Sequence, residues 1–393
     1  MKINTDPKKI EEVLSRGVEQ VVDKNHLAEK LKSGKQLRVK LGVDPTSPNI
    51  HLGRSIPLLK LRDFQELGHQ IVLIVGDFTG VIGDTSDKDS ERPMLTHEQV
   101  KANMEGYFEQ AARVIDIRKC EKYYNSEWLG KLNYHEIGEQ ADQFSVAEFI
   151  ARENIKKRLE GGTRVSLREV LYPLMQGYDS VAMKADVELG GTDQWFNLLA
   201  GRKLQEHYKQ EPQDILVGPL LEGTDGRKMS SSWGNTINLL AEPNDMFGKI
   251  MSIPDGLIIK YFTLATRAPM ADIALYEKEI KSGGNPRDYK IKLAEYLTSV
   301  YHGDKEAKKA LEYFVSTFSK KEIPDEMPEV SARDIASALV ESKICKSKSE
   351  ARQVIDQGGV KINEIKVEAG DYAAAVKAGD IVQKGSRWFV RIK

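Results

Sequence analysis

An α/β fold on a parallel sheet is what this sequence predicts, on three observations. Arg38–Val43 and Gln70–Val75 are short apolar runs that suit buried strands, the second rich in β-branched residues and ended by Gly76. Between them Ile56, Leu58, Leu59 and Leu61 mark a helix that stops at Gly68. Strand, helix, strand at this spacing is a βαβ unit, which implies parallel strands in one sheet. Further on, residues 187–189 ahead of Gly190-Gly191 and residues 212–217 ahead of Gly218 read as additional strands.

The 393 residues suffice for several domains and at least one sizeable core. With 58 Lys and Arg against 59 Asp and Glu the net charge is -1, so any contact with nucleic acid depends on local patches, not a global field. Two cysteines, Cys120 and Cys345, offer neither a disulfide framework nor a zinc spacing. The start, MKINTDPKKIEEVL, is charged and lacks a signal-peptide core, and the aliphatic run 71–75 is far too short to cross a bilayer. A soluble cytoplasmic protein with no membrane partner is expected.

Taken in order, residues 8–32 read as one helix carrying Ile10, Val13, Leu14, Val18, Val21, Val22 and Leu27. After the first strand, residues 44–49 form a turn, because two prolines and four small polar residues leave no room for a helix or ladder. A helix follows from Ile50. Residues 76–84 form a loop with three glycines. Thr96 and Gln99 make a capping box for a helix carrying Val100, Met104, Phe108, Ala111 and Ile115. Residues 125–171 are mostly helical, 172–183 form a further helix, and 218–233 are a glycine- and serine-rich loop. Residues 244–320 alternate helices with breaks at Pro254, Gly283-Gly284 and Pro286, which suits a small helical domain. A two-proline linker, 323–330, leads to a tail, 331–393, with 12 Lys and Arg against 8 Asp and Glu. The tail opens with helices and then turns back on itself, since Val360 and Ile362 alternate with polar residues, Asn363-Glu364 turns, and Ile365 and Val367 alternate back.

Ligands of parallel sheets bind beyond the carboxyl ends of the strands, where the turn at Asp44 and the loop after Gly76 both lie. The helix after the turn offers unpaired N–H groups and a positive dipole end to an anion. His51 adds a donor that can carry charge near neutral pH, and Gly53 lets a flat ring lie against the backbone. A second anion feature is the loop Gly226-Arg227-Lys228-Met229-Ser230-Ser231-Ser232, whose lysine and hydroxyls suit a triphosphate. Tyr172, Gln176 and Asp179 are spaced four and three apart and share a helix face.

His51-Leu52-Gly53-Arg54 and Lys228-Met229-Ser230-Ser231-Ser232 resemble the HIGH and KMSKS signatures of the class I aminoacyl-tRNA synthetases. Residues 171–179 (LYPLMQGYD) and 189–194 (LGGTDQ) are similar to the helix and following loop that grip the amino acid in tyrosyl-tRNA synthetases. Residues 347–352, 357–360 and 362–363 resemble an S4-type RNA-binding domain. The resemblance covers nearly the whole chain. It implies a Rossmann-like catalytic domain at 1–240 with a helical insertion at about 125–180, a helical anticodon-binding domain at 241–322, and an α+β S4-like domain at 331–393.

The same resemblance implies activation of L-tyrosine by ATP and transfer to tRNA(Tyr) in a homodimer whose contacts lie around 125–180. Mg²⁺ would arrive with ATP as part of the substrate complex, with no tightly bound cofactor and no protein metal site. Thr46 and His51 would meet the leaving phosphates together with Lys228. Asp44, Gly53, Arg54, Gly191, Asp193, Met229 and Ser231 would bind ATP. Lys40, Asp84, Tyr172, Gln176, Gln194 and Asp179 would hold tyrosine, the last at the phenol hydroxyl. Lys88 and Arg92 match positions near phosphate or the tRNA end, and Lys343, Lys346, Lys348 and Arg352 would lie along RNA phosphates.

Three residues depart from the family pattern. Arg54 replaces the last histidine of HIGH, and Ser231 replaces the second lysine of KMSKS. Lys40 stands where one branch of the family places a tyrosine reaching the substrate phenol, so here it either pairs with Asp179 or lies beside it. Two other readings stay open: a tryptophanyl-tRNA synthetase, which Tyr172, Gln176 and Asp179 disfavour, and a non-catalytic RNA-binding relative, which only Arg54 and Ser231 favour. A small nucleotidyltransferase fails on length and on the KMSSS loop.

Overall fold

The computed structural model describes residues 3–85, 94–319, 327–385 and 388–393. Lys88, Arg92 and the first half of the expected linker lie outside the described residues. The chain forms two compact units, Met1–Ala241 with Ser252–Leu293, and Glu242–Met251 with Ala294–Lys393. The helical stretch after Ala241 is therefore divided between them.

The first unit is a three-layer α/β body on a six-stranded sheet, order β1-β6-β5-β2-β3-β4. Its strands are β1 (Gln20–Val21), β2 (Arg38–Val43), β3 (Gln70–Val75), β4 (Glu121–Tyr124), β5 (Val187–Gly191) and β6 (Asp214–Gly218). All neighbours are parallel except β1, which pairs antiparallel with β6. β2 and β3 occupy the predicted bounds. They read as near-continuous apolar runs because both faces are covered, with Val39, Leu41 and all of Ile71–Val75 buried. The chain moves outward from β2 through β3 to β4, then returns to β5 and β6 on the other side of β2. The direction of winding reverses there, which opens a crevice at the carboxyl ends of β2 and β5.

Several sequence expectations change. Residues 8–32 are two helices, Pro7–Ser15 and Lys24–Lys32, separated by Gly17 at φ +61 and by β1. The capping box of Thr96 and Gln99 forms, but its helix ends at Met104 and a new one begins after Gly106, whose φ of +77 breaks the run. Residues 79–82 of the expected loop form one helical turn. The helix expected at 172–183 starts earlier, at Leu167, and carries Pro173 inside it. Proline has no N–H to return to the carbonyl four residues back, and Arg152 reaches that Glu169 carbonyl at 3.5 Å. Strand β4 was not anticipated, because it is an edge strand with alternating burial and two charged residues in its four.

The helix after the turn runs Leu52–Glu66, with His51 as its N-cap and Gly68 at φ +96 beyond its end. Leu52, Leu58, Leu59, Leu61 and Phe64 are buried around most of its circumference. Lys60 is buried too, and its ammonium caps the carbonyls of Val13 and Arg16 at 2.9 and 2.7 Å. The helix start is thereby anchored from its far end.

In the second unit, helices Pro243–Met251 and Asp304–Phe314 pack through Phe247 and Phe314, ring centroids 5.5 Å apart. The tail adds helices Ile335–Glu341 and Lys348–Asp356 and a five-stranded sheet, order β7-β11-β10-β8-β9. Here β7 is Glu329–Val330, β8 Val360–Ile362, β9 Ile365–Lys366, β10 Ile381–Lys384 and β11 Trp388–Ile392. The hairpin of β8 and β9 turns at Asn363 and Glu364, both with positive φ, the geometry a two-residue I′ turn requires. The expectation missed β7, β10 and β11. Ile335, Leu339, Ile355, Val360, Val382 and Val390 form the core under this sheet, each 0% exposed.

Candidate active site

A cavity of about 300 Å³ opens at the crevice in the first unit. Its lining comes from the turn after β2, the start of the Leu52–Glu66 helix, the loop after β3, the helix Leu167–Met183, the end of β5 and the loop 228–232. Every ATP or tyrosine residue expected from sequence lines it except Lys40.

The anion corner is built on the helix start. The turn is held from outside by residues without a sequence signal. Asn103 donates to the Pro45 carbonyl at 3.0 Å, Tyr107 to the Ser47 carbonyl at 2.8 Å, and Gln110 to the Pro48 carbonyl at 2.9 Å. Arg54 donates to Thr46 Oγ1 at 2.6 Å and to Tyr107 Oη at 2.7 Å, so its guanidinium is fixed in the corner. Met229 docks its sulfur on the Gly53 N–H at 3.3 Å, which ties the glycine- and serine-rich loop to the helix start. Ser231 and Ser47 hydroxyls lie 3.3 Å apart. Lys228 Nζ is 3.2 Å from Asp193 Oδ2. Asn235 shapes the loop by accepting from Ser230 N–H at 2.8 Å and donating to Asp225 Oδ1 at 2.7 Å.

His51 corrects an expectation. Its side chain is buried, and burial, with Arg54 and Lys228 nearby, pulls its pKa down to about 3. The imidazole is neutral at physiological pH. Its Nδ1 is buried and has no hydrogen-bond partner among the described residues, which leaves a polar atom ready for a ligand. An added Cβ at Gly53 would sit 3.1 Å from that Nδ1, so the imidazole would have to shift to admit one.

The opposite chemistry lies on the helix Leu167–Met183. Asp179 is 3% exposed, and its carboxylate accepts from Trp128 Nε1 at 2.7 Å and Asn125 Nδ2 at 3.3 Å. Burial raises its pKa to about 7 against the pull of Lys40 and those two donors. Tyr172 donates to Asp44 Oδ2 at 2.8 Å, and Thr79 donates to Asp44 Oδ1 at 2.7 Å, so the Asp44 side chain ties three elements together. Burial and the Asp44 carboxylate push the Tyr172 phenol well above its usual value. Gln194 donates to Asp84 at 2.7 Å, while Asn197 donates to Gln176 and to Gln194, each at 3.1 Å. The cavity thus joins a cationic, N–H-rich corner to a polar cleft with a buried carboxylate acceptor.

Lys40 is a second correction. It is 0% exposed, and its ammonium lies 2.8 Å from Glu188 Oε1, inside the sheet and behind the cavity wall. It pairs with Glu188, not Asp179. In the tail, Lys343, Lys346, Lys348 and Arg352 are exposed, and Arg352 also stacks on Tyr372 at 5.5 Å.

Comparison with known proteins follows this geometry. Residues 31–319 match the family model for tRNA synthetases class I (W and Y), and residues 316–384 match that for the tyrosine–tRNA ligase SYY-like C-terminal domain. The chain is 46% identical over 391 residues to the tyrosine–tRNA ligase of Thermotoga maritima, covering 98% of each. Among solved structures, a C-terminally truncated mitochondrial tyrosyl-tRNA synthetase of Aspergillus nidulans superposes with a TM-score of 0.66 at 20% identity, over 79% of this chain and 94% of that one. The tyrosyl-tRNA synthetase of Archaeoglobus fulgidus complexed with L-tyrosine gives 0.63 at 23%, over 78% and 100%. At these identities the two structures speak to the fold.

Proposed function

Because the chain belongs to the tyrosine–tRNA ligase family of class I tRNA synthetases, we propose that the cavity activates L-tyrosine with ATP and passes it to tRNA(Tyr). The ligase activity is that of the family. The assignment of residues to steps is the proposal. The observation that carries it is one cavity in which a buried Asp179 and a cation-lined helix start face a common space.

In the first step a tyrosine carboxylate oxygen attacks the α-phosphorus of ATP in line, and pyrophosphate leaves. The carboxylate is already ionised, so the step needs alignment and charge stabilisation rather than a general base. Lys228, Arg54 and the Thr46 hydroxyl meet the phosphates, whose Mg²⁺ arrives with the nucleotide. His51 contributes as a neutral imidazole. Asp193 takes the ribose hydroxyls once Lys228 moves off it. Asp84, Tyr172 and Gln176 hold the ammonium, Gln194 faces the carboxylate, and Asp179 accepts the phenol O–H. In the second step a terminal ribose hydroxyl of the tRNA attacks the acyl carbon, and AMP leaves.

Support for the Arg54 role lies in its two short hydrogen bonds. Arg54→His removes a permanent charge from the corner. Hydrogen bonds to charged groups contribute about 1.5–3 kcal/mol, so KM for ATP is expected to rise roughly ten- to a hundredfold with tyrosine KM little changed. An unchanged or lower ATP KM would remove Arg54 from the phosphate site.

We carry three coarser readings with it. Residues 1–240 act as the catalytic domain, 241–322 as a helical anticodon-binding domain, and 331–393 as an S4-like domain that lays its exposed lysines along RNA phosphates. Binding to tRNA that is insensitive to salt would rule the last one out. A second copy docks on the insertion, where Tyr134, Val146 and Leu167 are 94%, 75% and 71% exposed; a monomer mass in sedimentation equilibrium would exclude it. No helix among the described residues is long and apolar enough to cross a membrane, and a cytoplasmic site of action is proposed. The function itself is tested by ATP–pyrophosphate exchange with the purified chain. Tyrosine should support exchange, and tryptophan should not. Exchange with neither amino acid would mark a non-catalytic relative.

A further inference from the structure

Lys40 on β2 and Glu188 on β5 are direct partners in the parallel ladder. Both belong to strands whose neighbouring positions, Val39, Leu41, Val187 and Leu189, are apolar and buried. The Lys40 ammonium reaches Glu188 Oε1 at 2.8 Å, Ser180 Oγ at 2.7 Å and the Gln176 carbonyl at 3.1 Å. Ser180 donates onward to Glu188 Oε2 at 2.9 Å, and Gln213 donates to the same oxygen. Lys40, Ser180 and Gln213 are 0% exposed and Glu188 is 1% exposed. All three protons of the ammonium have partners.

Such a pair is a poor device for stability alone. Taking each ion out of water costs several kcal/mol even after relaxation, and apolar replacements of the same volume are often as stable. What distinguishes this pair is its position. It holds Gln176 and Ser180, which bracket Asp179 on the helix Leu167–Met183. Gln176 and Asp179 line the cavity from the front of that helix, while the ion pair holds it from the sheet side.

We propose that the Lys40–Glu188 pair is a positioning element for amino-acid selection, which locks the Gln176–Ser180 turn onto β2 and places one buried charge of each sign behind Asp179. The inference rests on the reading of Asp179 as the phenol acceptor. Where the family's other branch contacts the phenol directly, this chain supplies a charge one layer back. Asp179 is faced by Lys40 from β2, Glu188 from β5, Asn125 and Trp128 beyond β4, and Tyr172 on its own helix, with Asp44 and Asp84 across the cavity on Tyr172. Lys40 draws the Asp179 pKa down and Glu188 pushes it up. Burial is the largest cause and brings the value to about 7, so a change in either neighbouring charge alters the charge state of Asp179 in the working range. A tyrosine phenol donates to the carboxylate form, so affinity for tyrosine falls as pH drops through that value.

The test is kcat/KM for tyrosine in pyrophosphate exchange across pH 5.5–9, using the full chain. In Lys40→Met the pH midpoint moves upward by about one pH unit, the low end of what a charge neighbour produces. In Glu188→Gln it moves downward. A purely structural role lowers activity in both variants without moving the midpoint, or moves both the same way, and either result overturns the proposal. Should Lys40→Met fail to fold, Glu188→Gln carries the test alone, since it keeps the shape of the site and one acceptor oxygen. A midpoint that stays in place then overturns it. Wild-type exchange with tyrosine is measured first. Its absence would remove the functional reading, whereas unshifted midpoints in an active enzyme remove only this inference.

Discussion

Asp179→Ala is expected to collapse the preference for tyrosine over phenylalanine. Tyrosyl-tRNA synthetases are themselves the reference case for this kind of discrimination, rejecting phenylalanine by roughly 10⁵ without editing. The physical cause is asymmetric. With tyrosine bound, the phenol O–H completes the acceptor set that Trp128 and Asn125 leave open on Asp179. With phenylalanine bound, a carboxylate that is 3% exposed loses water and gains nothing. An unsatisfied buried group costs about 1–3 kcal/mol, and a charged one more. Alanine removes the group that generates this cost. The kcat/KM for tyrosine should fall by about 10²–10³, that for phenylalanine should hold or rise, and the ratio should drop below about 10². Pyrophosphate exchange with both amino acids reads it directly. Selectivity that survives would mean that Asp179 does not touch the substrate ring.

The acidic limit of the same group has a definite sign. Its folded pKa of about 7 lies above that of an exposed aspartate, so the folded state binds the extra proton between about 4 and 7. Asp179 therefore makes the fold less stable as pH rises through that window. His51 and His69 act the other way. Burial lowers them to about 3 and about 4. Their unfolded forms take up protons first, and stability is lost as pH falls below about 6.5. Holding Asp179 as a carboxylate above about pH 7 is therefore a cost to stability, whereas neutral His51 costs stability only in acid.

How much of this was legible in the sequence depends on distance along the chain. Strands β2 and β3 fell at their expected bounds because apolar continuity between glycines is a local signal. The positive φ at Gly17 and Gly106 was as local, but the apolar period ran through both glycines and hid the breaks. Tyr172, Gln176 and Asp179 were placed on one helix face by spacing alone, and the cavity gathers all three. Asn125 and Trp128, which complete the Asp179 site, lie some fifty residues away and carry no local pattern. The same holds for Asn103, Tyr107 and Gln110, which clamp the turn at 44–49. The two reversals concern charge. His51 was read as a donor able to carry charge near neutral pH, and Lys40 as a tyrosine-site residue that pairs with Asp179 or lies beside it. Burial made His51 neutral, and it paired Lys40 with Glu188, a strand neighbour almost 150 residues on. Local sequence does not report desolvation.

Lys228→Ala is expected to lower kcat for adenylate formation by about 10²–10³, the loss typical of removing one preorganised donor from a developing charge. Ser231 stands at the second lysine of the motif, so Lys228 is the one cation that the segment 228–232 offers. Arg54 remains in the corner, but it is held by Thr46 and Tyr107 and cannot follow a leaving group. Lys228 is differently placed. Its contact with Asp193 at 3.2 Å is part-exposed, with the lysine side chain 28% accessible, and a part-exposed pair of this kind is weak. The ribose hydroxyls of ATP compete for that carboxylate and free the ammonium to meet charge as it builds on the departing pyrophosphate. Because that charge is largest in the transition state, the loss should fall on kcat, with tyrosine KM nearly unchanged. Steady-state exchange and single-turnover adenylate formation separate the two. A variant that raises tyrosine KM and keeps kcat would place Lys228 on the amino acid instead.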